Sequence, residues 1–218
     1  MSQELPFENI ESLLPMDFFS LEVECPYAKE SAKSGLFRSL PFLPDLSQYL
    51  FEEKFSDVSI CWNEEGLLID VEISKPFENS SFPDYTDGDS VELFIDTRDI
   101  KQAGFATKFC HHFVVLPSKV SEIQVQEVTK FRSEDSHALC DPSLITVKTQ
   151  YGKKQYHMSI TIPATCLHGY DPYAFSRLGF TYQVNRYRGE PQHFCVSSRY
   201  FDIMQNPSMW SSLKLIKS

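Results

Sequence analysis

The chain has 218 residues and a net charge of −10, and it is rich in aromatics, with 18 Phe and 10 Tyr. The acidic balance excludes a general nucleic-acid binder or a binder of anionic membranes, and no apolar run approaches the roughly 20 residues that span a bilayer. The length suits a single β domain with a core large enough to need no staples.

Residues 1–50 read as an irregular N-terminal segment packed on that domain, with prolines at 6, 15, 26, 41 and 44. A helical turn is expected around residues 47–55. Residues 1–17 are acidic and carry two prolines, which argues against a secretory signal. From Val58 the period changes to two. "VSICW", "NEEG" and "LLIDVEIS" form a hairpin, with Leu67, Ile69, Val71 and Ile73 on one face. A turn-rich loop, "KPFENSSFPDYTDGD", leads to "SVELFID", in which Val91, Leu93 and Ile95 alternate with Ser90, Glu92, Phe94 and Asp96. The stretch "KFCHHFVVLP" from Lys108 to Pro117 is the next strand. Further strands are expected at residues 121–128, 144–150 and 155–162. "FTYQVN" and "HFCVSS" make another pair, and "MWSSLKLIK" closes the chain. Many short strands with turn signals and no long helical period predict an all-β fold: an antiparallel, jelly-roll-like β-sandwich with little helix.

Side chains alternate across a strand, so His111 and His112 point to opposite faces. His111 shares a face with Phe109, Phe113 and Val115 and is expected as a hydrogen-bonded core residue. Cys110 and His112 share the other. His193 and Cys195 repeat that spacing in "QHFCVSS". If the two strands were neighbours, Cys110, His112, His193 and Cys195 would make a tetrahedral zinc site. Asp84, Asp87 and Asp89 in "DYTDGD" are candidate calcium ligands, since closely spaced carboxylates on a turning backbone suit that ion. The six cysteines are dispersed and form no CxxC pair. They are read as reduced thiols in a cytoplasmic protein.

The polar faces of the central strands offer Glu92, His112, Gln183, Asn185 and His193. Brought together, these line a groove suited to a neutral, hydroxyl-rich ligand, with Tyr85 and Tyr187 in loops at its rim. The chain has no GxSxG, HExxH, GxGxxG or GxxxxGK[ST] signature, so nothing local points to an enzyme.

The phrases "GLLIDVEIS", "DYTDGDSVELFIDTRD", "ITIPATCL", "RLGFTYQVNRYRGEPQHF" and "NPSMWSSLKLI" occur in this order. They resemble the family 9 carbohydrate-binding modules and the wider DOMON-like group of β-sandwiches, from about Val58 to the C-terminus. The resemblance implies a non-catalytic binding module whose most favoured ligand is a carbohydrate, gripped by aromatic and polar side chains, and a possible structural calcium. Trp62 and Trp210, the two tryptophans, fit core positions as well as a clamp. The alternatives are a cytoplasmic protein-interaction domain with no sugar ligand, or a metal-dependent enzyme.

Overall fold

The computed structural model describes residues 21–28 and 41–217. Most of the segment 1–50 therefore lies outside the described residues. The expected helical turn is a single short helix, α1 (Ser47–Leu50), which ends at Phe51 in the left-handed region.

Eleven strands follow in chain order among the described residues: β1 (Glu22–Pro26), β2 (Ser56–Asn63), β3 (Gly66–Ile73), β4 (Ser90–Asp96), β5 (Cys110–Val120), β6 (Ile123–Glu127), β7 (Thr146–Tyr151), β8 (Tyr156–Pro163), β9 (Arg177–Asn185), β10 (Gln192–His193) and β11 (Ser211–Ile216). They form two sheets. The larger runs β1-β11-β9-β4-β5-β6, with β10 also paired to β9, and the smaller runs β2-β3-β8-β7. The hairpin of β2 and β3 is in register from Ser56–Ile73 to Asn63–Gly66. Gly66 is required there. Its φ is +142°, and a Cβ would sit 2.1 Å from the carbonyl oxygen of Ile162 on β8.

The period-two pattern becomes the core. Leu67, Ile69, Val71 and Ile73 of β3 meet Val91, Leu93 and Ile95 of β4, with Met158, Ile160 and Phe180 between the sheets, all of them buried. Burying such side chains contributes roughly 1.5–3 kcal/mol each. Trp62 lies in this core as well.

Two details differ from the expected sandwich. The sandwich is not wholly antiparallel, because β1 pairs with β11 in parallel, Glu22 opposite Ser212 through Pro26 opposite Ile216. "HFCVSS" is not a full strand: pairing with β9 stops at His193. The chain beyond it leaves the sheet edge and folds back over the outer face of the larger sheet. There Val196, Ile203, Met204 and Trp210 build a second apolar cluster against Phe94, Ala106 and Cys110. Trp210 is fixed in it by donating from Nε1 to the Ile203 carbonyl at 2.9 Å. Both tryptophans are thus structural.

Candidate functional site

The outer face of the larger sheet carries the polar half of the alternation. Register sets which residues meet. His193 lies opposite Gln183, Gln183 opposite Glu92, and Asn185 opposite Ser90. One step along, Thr181 lies opposite Phe94 and Phe94 opposite His112. The apolar cluster covers one end of this face. Beside it, and sharing Phe94, Ile203 and Met204 with it, is a pocket of about 300 Å³.

Four of the expected binding residues line it: Tyr85, Glu92, His112 and Gln183. Asn185 and His193 stand behind them and hold them in place. Glu92 is clamped at both oxygens: Asn185 Nδ2 donates to Oε1 at 2.8 Å, and His112 Nε2 lies 2.8 Å from Oε2. Gln183 Nε2 donates to Asn185 Oδ1 at 2.7 Å, and Gln183 Oε1 is 2.9 Å from His193 Nε2. His193 Nδ1 meets Glu52 Oε1 at 2.7 Å. The result is one chain of hydrogen bonds from Glu52 to His112. Burial opposes the charge on Glu52, but the hydrogen bonds from His193 and Ser197 outweigh it and hold the carboxyl below its ordinary range.

Aromatic rings frame the polar floor. His112 stacks on Phe94 with centroids 4.2 Å apart, and the ring of Tyr85 meets His112 edge-on at 6.2 Å. Burial, followed by the charges of Glu92 and Asp202, pushes the Tyr85 hydroxyl up to about 12, so it stays a neutral donor. Tyr187 does not line the pocket. Its backbone N–H donates to Asp89 Oδ1, and its ring lies under the Arg188 guanidinium.

Thr86, Lys130, Ser198 and the run from Phe201 to Gln205 complete the wall and were not expected from the sequence. Six of these eight lie in "SSRYFDIMQNP", which has no strand period and so gave no facing direction. The one available signal was aromatic: Tyr200 and Phe201 sit among turn residues, and both are exposed.

Glu52, His193 and Ser198 have the order of a nucleophilic triad, carboxylate to imidazole to hydroxyl, with the His193–Ser198 contact at 2.8 Å. However, Nε2 of His193 also faces Gln183 Oε1 and the backbone N–H of Ser198, at 2.9 and 3.1 Å. Nε2 is thus shared among the Ser198 hydroxyl, the Ser198 N–H and the Gln183 oxygen rather than held for the hydroxyl alone. The row braces the pocket floor.

The expected zinc set does not assemble. β9 and β4 lie between β10 and β5, a separation of about 14 Å at the usual strand spacing. Cys110 and Cys195 serve the apolar cluster, while His112 and His193 are engaged in the polar chain. Asp84, Asp87 and Asp89 do not converge either. Asp84 and Asp87 are exposed, whereas Asp89 accepts from the backbone N–H groups of Glu78, Asn79 and Tyr187 and so clasps two loops. All six cysteines are free thiols. Among the described residues, the ligating side chains that do converge are His111, Glu127 and His137. His111 is buried and hydrogen-bonded, as its strand face implied.

The sequence model of the family described as "Carbohydrate family 9 binding domain-like" matches residues 52–218. The chain belongs to this family. The family 9 match covers every strand except β1. Solved structures agree on the fold. A family 9 carbohydrate-binding module from Caldicellulosiruptor kristjanssonii in complex with cellotriose is 18% identical, with a TM-score of 0.62 over 90% of this chain and 94% of that one. The module from the same organism in complex with glucose is 15% identical, with a TM-score of 0.62 over 90% of this chain and 96% of that one. Comparison with the curated proteins gives no match. As a family 9 domain, the chain is a binding module of the β-sandwich type.

Proposed function

We propose that the pocket on the outer face of the larger sheet binds a carbohydrate, with Glu92, His112 and Gln183 as its polar floor and Tyr85 and Phe201 as its aromatic contacts. The observation that carries this is the clamped Glu92. Both of its oxygens are fixed by protein donors, so its remaining lone pairs point in set directions and are ready for sugar hydroxyls. Preorganised acceptors beside aromatic rings match a pyranose, which has hydroxyls on its edge and an apolar face. The pocket volume of about 300 Å³ is at the small end for ligand sites. That favours one sugar ring or a chain end over a long polymer groove. Lys130 faces the same pocket as the two carboxylates, Glu92 and Asp202. The bound sugars of the C. kristjanssonii modules, cellotriose and glucose, set the first compounds to try.

Calorimetry with glucose, cellobiose and cellotriose, backed by a glycan array, tests the proposal. Binding that is lost in Glu92→Gln and Phe201→Ala supports it. A folded protein that binds none of these sugars and nothing on the array overturns it.

A further inference from the structure

His111 lies on the inner side of β5, on the face opposite the pocket, and is wholly buried. Its Nδ1 is 2.9 Å from Oε1 of Glu127, the last residue of β6. His137 arrives from the connection after β6 and places Nε2 2.9 Å from the same oxygen. The ligating atoms of the three residues all fall within 4.8 Å of one another. Thr129 Oγ1 donates to Oε1 as well, at 2.8 Å, and the backbone N–H of Cys140 donates to Oε2 at 2.7 Å.

His137 places Nδ1 2.6 Å from the Lys108 carbonyl and Nε2 against the Glu127 carboxylate, so both ring nitrogens meet acceptors only, and a neutral ring has one proton for the two. The arrangement calls for a positive charge beside Glu127, either a proton on His137 or a cation, and His111 Nδ1 adds a second imidazole nitrogen at the same oxygen. A cation between the rings and the carboxylate supplies that charge and uses both rings. His137 then donates from Nδ1 to a backbone carbonyl and offers the Nε2 lone pair to the ion, the usual orientation of a metal-bound histidine.

We propose that His111, Glu127 and His137 hold one divalent transition-metal ion of the zinc class. Two imidazole nitrogens and a carboxylate oxygen suit that class, whereas calcium and magnesium prefer oxygen alone. Tetrahedral zinc sets its ligand atoms about 3.3 Å apart, so the two 2.9 Å separations open by a few tenths of an ångström on binding. The Thr129 hydroxyl or a water supplies the fourth ligand. The ion is a staple. It ties the connection carrying His137 to β5 and β6, and its burial suits structure better than catalysis.

The test is metal analysis of the whole chain, expressed without a histidine tag and purified without chelator. About one zinc per chain is expected. Removing it with a chelator and restoring zinc alone raises the melting temperature by roughly 5 °C. His111 is a core residue, and its variants are at risk of not folding. His137→Gln, at the edge of the site, is therefore the decisive variant, with folding checked by far-UV circular dichroism. It loses zinc retention and the zinc-dependent shift while sugar binding persists. Wild-type protein with no bound zinc and no response to added zinc overturns the proposal. So does a folded His137→Gln protein that retains zinc as the wild type does.

Discussion

His112 and Glu92 sit on adjacent strands but are not directly opposite: His112 faces Phe94 and Glu92 faces Val114. Their 2.8 Å contact is therefore a diagonal across the outer face of the sheet. It commits the carboxylate to one rotamer and aims it along the pocket floor.

Glu92→Gln tests that commitment. An amide offers one acceptor and one donor where the site needs two acceptors, so either Asn185 or His112 loses its partner. Stability is expected to fall by about 1–3 kcal/mol in chemical denaturation. Sugar affinity falls at least about tenfold by calorimetry, equivalent to about 1.4 kcal/mol. Unchanged stability would show that the clamp does not bear on folding.

Phe201→Ala separates binding from stability. Phe201 is 43% exposed, so its truncation removes little core. The melting curve is expected to move by no more than about 0.5 kcal/mol. Affinity for the sugar drops about tenfold, because the ring supplies the apolar contact. Equal affinity in variant and wild type would remove Phe201 from the site.

The polar chain also predicts a dependence on pH. Glu52 has a folded-state value below its ordinary 4.5. Its contribution to stability is complete above 4.5 and is lost as the pH falls from there through the lowered folded value. Melting temperatures measured from pH 7 down to pH 3 should therefore fall more steeply in the wild type than in Glu52→Gln. Parallel curves would mean that Glu52 is not selectively ionised in the folded state.

Gly66→Ala probes the hairpin. The added methyl meets the Ile162 carbonyl at 2.1 Å in a backbone conformation that only glycine adopts easily. The expected loss is about 2–4 kcal/mol by denaturant titration. A loss below about 1 kcal/mol would show that the turn relaxes freely.

The sequence was most legible where one strand face was fully buried. On β3, β4 and β8 the alternation of large apolar and polar residues is nearly unbroken, and each predicted inner face is in the core. The same alternation placed Glu92, His112 and Gln183 on one outer face. It failed where no period exists. The chain from Phe194 to Trp210 crosses over the sheet instead of extending it, so its wall residues Ser198, Phe201 and Asp202 carried no directional signal. β1 was illegible because its partner, β11, is almost the whole chain away. His137 was missed for a related reason: it stands in an irregular connection, and its partners are set by the folded chain alone.

The place of β9 between β11 and β4 has a kinetic consequence. Every strand of the smaller sheet lies within residues 56–163, so that sheet has all its parts early in synthesis. The pocket floor needs Gln183 beside Glu92, and its wall needs the crossing chain after residue 193. Ligand recognition therefore cannot precede synthesis of the last quarter of the chain. Until then β4 exposes one unpaired edge, an open invitation to the edge of another nascent chain.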